Sequence, residues 1–149
     1  ELLAFTPSEA APEVAEWNGR RVGFQICYDI EFPEPARLLA ERGADLVLVP
    51  TAIDGTARYV PEVLVRARAA ENGIVVAYAD HARAAESAAD PQAGFAGLSI
   101  VAGELGAVFG AAGEGSELLI AEIPDPPAKP LSPEGYLRDR RPDLYSAWR

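Results

Sequence analysis

Residues 19–52 read GRRVGFQICYDIEFPEPARLLAERGADLVLVPTA, and the fold is decided by how this stretch divides. RRVGFQICY (20–28) is a short apolar run suited to a buried strand. FPEPARLLAERG (32–43) has prolines near its start, Leu38 and Leu39 inside and Gly43 as a stop, the punctuation of a helix. ADLVLVPTA (44–52) is a second apolar run of strand length. The unit is strand–helix–strand, which sets two strands parallel with the helix as their crossover.

Working outward, ARYVPEVLVRARAAENG (57–73) carries Val60, Leu64 and Ala67 at helical spacing and ends at Gly73. IVVAYAD (74–80) is the next strand, and HARAAESAADPQAGF (81–95) is a small, polar loop. GLSIVA (97–102), a turn at GELG, AVFG (107–110) and SELLIAEI (116–123) predict a β-meander. Residues 1–18 read as an extended lead-in without periodicity. From Pro124 the chain turns proline-rich and leaves the core, ending in an arginine-rich tail, YLRDRRPDLYSAWR, of docking character. The expected fold class is α/β with a mixed sheet, in two parts: a domain over 1–123 and an exit segment with tail over 124–149.

The 149 residues suffice for one core, and 49% hydrophobic against 24% charged residues is the balance of a globular domain. The formal net charge of −10 argues against nucleic-acid and anionic-membrane partners, which require positive charge to displace counterions. No apolar run approaches a membrane span, and the single cysteine cannot close an internal disulfide, so a reducing, cytoplasmic setting is expected. The sequence contains no methionine and opens at Glu1, which reads as part of something longer.

That cysteine, Cys27, has two readings. A lone cysteine at the end of an apolar strand is commonly a small buried hydrophobe. Cys27 also sits between a strand end and a helix start, at the carboxyl edge of a parallel sheet, where α/β proteins gather their active sites. A nearby helix amino terminus favours the thiolate, and turn N–H groups, that of Tyr28 first among them, are placed to hold an oxyanion. A nucleophilic thiol needs a base. The only histidine, His81, lies in a loop, and the only lysine, Lys129, lies in the proline-rich exit. A Cys–His pair and a carboxylate–ammonium set both remain open on the residues alone. No clustered His/Cys spacing offers a metal site.

The segment CYDIEFPE, its flanking strands, the ARLLA helix, RARAAENG, VAYAD, GLSIV, GELGAVF and SELLIAEI together resemble the carbon–nitrogen hydrolase (nitrilase) superfamily over most of residues 1–123. The tail YLRDRRPDLY resembles that of amidase-like members. The resemblance implies half of a four-layer α-β-β-α sandwich, the C-terminal half. It also implies hydrolysis of non-peptide C–N bonds by a Glu–Lys–Cys set without a metal or organic cofactor. Cys27 matches the nucleophile, and Glu1 matches an auxiliary glutamate ahead of the Phe5–Pro7 triplet. The general-base glutamate and the lysine lie upstream in the family and have no counterpart here. The implied partners are a small-molecule amide, the missing N-terminal half of the same domain, and further copies of the chain in a homo-oligomer. A non-catalytic α/β interaction module that keeps Cys27 by descent is the competing class.

Relatives that act on carboxylate-bearing amides often carry arginine four residues past the nucleophile; here that position is Glu31. A carboxylate facing the pocket repels an anionic substrate and favours a neutral or cationic amide. The alternative is that Glu31 turns away and pairs with an arginine such as Arg37. Thr51, Ala52 and Ile53, at the end of the second strand, are candidates for lining the pocket. Asp29 is expected to anchor the turn, and Arg68, Glu71 and Asn72 to form structural bridges. Asp80 stands where the family pattern more usually has asparagine.

Overall fold

The computed structural model describes residues 6, 8–84, 94–125 and 137–148. Glu1, the Phe5–Pro7 triplet in part, Lys129 and most of the proline-rich exit therefore lie outside the described residues. Six strands form one mixed sheet in chain order: β1 (Val14–Trp17), β2 (Arg20–Phe24), β3 (Leu46–Thr51), β4 (Val75–Asp80), β5 (Ile100–Ala102) and β6 (Val108–Ala111). β2, β3 and β4 run parallel, and β1, β5 and β6 are antiparallel to their neighbours.

Between β2 and β3 come a 3-10 turn, Cys27–Glu31, and helix α1 (Pro33–Glu41). Proline at the first helical position of α1 costs no hydrogen bond there, since that N–H has no intrahelical partner. Between β3 and β4, a π-helical turn, Val60–Leu64, runs directly into α2 (Val65–Asn72). Gly73 closes α2 at φ 62°, the left-handed conformation that only glycine adopts without a Cβ penalty. A short helix, α3 (Pro142–Ser146), lies in the tail.

Both long helices cover one face of the sheet. A Cβ on Gly23 would stand 2.8 Å from Leu39 Cδ2, so Gly23 faces α1. The register Gly23↔Val47↔Val76↔Ala102 then puts Val47, Val49, Thr51, Val76, Tyr78 and Ala102 on the same side. There they bury against Ile30, Leu39, Val65 and Ala69, the centre of the core. The opposite face carries the row Phe24↔Leu48↔Ala77↔Val101↔Gly110.

The extended lead-in contains a strand: Val14–Trp17 pairs with β2 as a hairpin through Asn18 and Gly19, both at positive φ. One expectation is corrected. SELLIAEI does not add a strand to the sheet among the described residues. Leu119 and Ala121 instead pack on Gly110 of β6, and the Ile123 carbonyl accepts from Arg20 Nη2 of β2 at 3.4 Å. The segment thus crosses the open face from one side of the sheet to the other, leaving Leu118 and Ile120 84% and 80% exposed. Its Leu119 and Ala121 side chains pack on the sheet face, and its backbone adds no ladder to either edge strand among the described residues.

Candidate active site

The carboxyl ends of β2, β3 and β4 meet at one edge, and the Cys27 turn sits on it. Gln25 extends the pairing one residue past β2, its N–H donating to the Leu48 carbonyl at 3.1 Å. Two residues later the chain swings: Cys27 has φ 51°, a left-handed conformation that costs a non-glycine residue roughly 1–2 kcal/mol. Such strain persists only where the surroundings over-determine it.

Here they do. Asp29 Oδ2 accepts the Ile26 N–H at 2.9 Å, and the Asp29 N–H returns to the Ile26 carbonyl at 3.1 Å. The buried Gln25 side chain donates to the Asp29 carbonyl at 3.3 Å. Ile30, fully buried, pins the far side of the turn in the core. The Cys27 thiol is free and half-buried, and the Tyr28 N–H has no hydrogen-bond partner among the described residues. An unpaired N–H next to a half-open thiol is the arrangement that a developing oxyanion would use.

Around the turn stand Tyr28 and Phe32, edge to face at 4.9 Å and both exposed. Glu31 is half-buried, and its Oε2 accepts from the Tyr59 hydroxyl at 3.2 Å. It does not pair with Arg37, which donates to the Glu71 carbonyl at 2.9 Å. The Glu31 charge raises the Tyr59 phenol above its ordinary value. Among the described residues the side-chain hydrogen bond to the Glu31 carboxyl comes from a phenol and not from a cation.

The three strand-end candidates divide. Ala52 is exposed, whereas Thr51 is 7% exposed on the helix-covered face and Ile53 belongs to the core. The Ile53 N–H donates to Asp80 Oδ1 at 2.9 Å, as does the His81 N–H at 2.9 Å. Burial is the main cause holding the Asp80 carboxyl above the ordinary carboxylate value. Tyr78 lies beside it; burial first, and the Asp80 charge next, push its phenol up, against the pull of the neighbouring Thr51 side chain. The His81 ring stacks on Phe95 at 4.9 Å, away from any pairing with Cys27 among the described residues.

One contributor escaped the sequence, and another has a more specific role than expected. Tyr59 reaches Glu31 from 28 positions away, with no local signal to mark it. Arg68, expected to bridge, does so to the turn itself: Nε donates to the Ile30 carbonyl at 3.2 Å and Nη2 to the Glu31 carbonyl at 2.7 Å. Among the described residues no group of three or more His, Cys, Asp or Glu side chains is spaced to hold a metal ion, and no helix is long and apolar enough to cross a membrane.

The sequence of residues 3–127 matches the carbon-nitrogen hydrolase family. The chain belongs to that family. It is 40% identical over 146 residues to the protein named "Hydrolase in pqqF 5'region" of Pseudomonas protegens, covering 95% of this chain and 48% of that protein. It is 33% identical over 142 residues to an (R)-stereoselective amidase of Pseudomonas sp., covering 95% of this chain and 50% of that one. Among solved structures, a variant of the amidase from Nesterenkonia sp. AN1 superposes with a TM-score of 0.82 at 42% identity, covering 98% of this chain and 51% of that one. In that structure the acetamide moiety of fluoroacetamide is joined covalently to the active-site cysteine. The chain therefore has the α/β fold of that amidase and spans about half the length of these relatives.

Proposed function

We propose that the protein carrying this chain is an amidase that releases ammonia from a small neutral or cationic amide through a thioester on Cys27. The observation that carries this reading is the turn itself: Cys27 at φ 51°, with the Tyr28 N–H beside it unpaired among the described residues, in a chain of this family. A carboxylate base takes the thiol proton, and the thiolate adds to the amide carbonyl carbon. The oxyanion is held by the Tyr28 N–H and an ammonium; the base returns the thiol proton to the amide nitrogen as the C–N bond breaks and ammonia leaves. The same base then takes a proton from water, whose oxygen attacks the thioester carbonyl, and hands it to the departing Cys27 sulfur as the acid is released. By the family resemblance, the base glutamate and the lysine belong to the other half of the domain and Glu1 supports the set, so residues 1–149 alone are inactive. Copies of the whole protein assemble as a homo-oligomer.

Ammonia release from a panel of neutral, amino-bearing and carboxylate-bearing amides tests the reading on the intact protein. Wild type is expected to turn over the first two classes, and C27A to lose at least 10³-fold in kcat. Activity that survives C27A, or a wild type that favours the carboxylate-bearing amides, contradicts it.

A further inference from the structure

The strained conformation at Cys27 needs a restraint that acts across the fold as well as along the chain. Its N-terminal side is held by Asp29 and Gln25, both within the local loop. Its C-terminal side is held from α2, by Arg68. Arg68 is 8% exposed, and its guanidinium spends its donors in two directions. Nε and Nη2 fork onto the successive carbonyls of Ile30 and Glu31, at 3.2 and 2.7 Å. Nη1 meets Glu71 Oε1 at 3.1 Å, three residues further along the same helix. The helix side of the clamp is itself tied down: the Asn72 amide donates to the Arg68 carbonyl at 2.8 Å and Arg37 of α1 donates to that of Glu71 at 2.9 Å.

From this geometry we infer that Arg68 is a positioning residue for the nucleophile: it fixes where the Cys27 sulfur and the Tyr28 N–H point by gripping the two carbonyls that end their turn. The inference rests on the amidase reading above only for its kinetic consequence. A planar fork suits this task and an ammonium does not, because one point donor cannot hold two consecutive carbonyls in fixed directions. A buried arginine in a structural ion pair would need only Glu71. Two of the three nitrogens instead serve the turn.

R68M, R68K and R68A in the intact protein decide it. In R68M and R68A, kcat is expected to fall by roughly 10²-fold with KM within about threefold, the signature of a misplaced reacting group. R68K is expected to recover only a small part of the loss, and added guanidinium to restore R68A at least tenfold without raising its Tm. Iodoacetamide alkylation of Cys27, followed by mass, reads the turn whatever the substrate: its rate constant is expected to change at least fivefold in R68M. If wild type hydrolyses no amide, the amidase reading fails while the alkylation arm still judges Arg68. Folded R68M with wild-type kcat, or with an unchanged alkylation rate, overturns the inference. Should R68M and R68A not fold, full activity in R68K overturns it and loss of activity at unchanged Tm supports it.

Discussion

At the scale of single residues, charge decides what the edge of the sheet accepts. Glu31 takes its hydrogen bond from the neutral Tyr59 hydroxyl, so nothing in that contact cancels its charge. Unit charges about 4 Å apart near a protein surface interact by a few kcal/mol before screening. In E31Q the ratio of kcat/KM for an amino-bearing over a carboxylate-bearing amide is expected to fall about five- to tenfold. An unchanged ratio would show that Glu31 does not face the substrate. Asp80 makes a separate prediction about stability. Burial holds its carboxyl above the ordinary carboxylate value, against the pull of the Ile53 and His81 N–H groups. The native state thus binds this proton more tightly than the unfolded chain does. The stability linked to it is present below the unfolded value and is lost as pH rises through the folded one. Asp80→Asn keeps an acceptor for both N–H groups and deletes the buried charge. Its Tm is expected to exceed that of wild type by a few degrees at pH 7, with the gap closing toward pH 4. A lower Tm at pH 7 would mean that the charge is compensated.

At the scale of elements, α1 is locked to the sheet through one close approach. Gly23 leaves room for Leu39, which is fully buried and cannot swing aside. G23A is expected to cost roughly 1–3 kcal/mol by overpacking, measured by urea unfolding. In G23A/L39A the two costs should fall short of their sum by at least about 0.5 kcal/mol, because the second change vacates the space the first one needs. Additive costs would place the strain elsewhere. The same packing explains what the sequence made legible. The strand–helix–strand core could be read because apolar runs, prolines and Gly43 punctuate it locally. β1 could not be read from periodicity: in VAEW only Val14 is even half-buried, so its strand exists through the ladder with β2 alone. The Asn18–Gly19 dipeptide was its one usable sign. Cys27 was legible as a strand-end thiol, yet its left-handed backbone and the grip of Arg68 depend on residues 38 positions apart meeting in space.

At the scale of the whole molecule, the sheet is finished on one side only. Its helix-covered face holds the core, while the other presents Phe24 at 54% exposure, with Leu48, Ala77 and Val101 half-buried in the same row. Ile26 is 67% exposed beside the cysteine turn, and Leu118 and Ile120 stand out from the segment crossing this face. An apolar surface of this kind, on a chain that spans about half the length of its relatives, fits the proposal that another half of the same domain belongs with it, and that half would cover this face. Residues 1–149 expressed alone are therefore expected to bind the dye ANS strongly and to self-associate in sedimentation. The intact protein should do neither through this face. Phe24→Asp separates the two situations. In the isolated chain it should weaken ANS binding and association, since it places a charge at the centre of the exposed row. In the intact protein the same change buries that charge between two layers without a partner, at a cost of several kcal/mol, and should abolish soluble expression or activity. An isolated chain that is monomeric and silent to ANS, together with an unaffected intact F24D, would show that this face works uncovered.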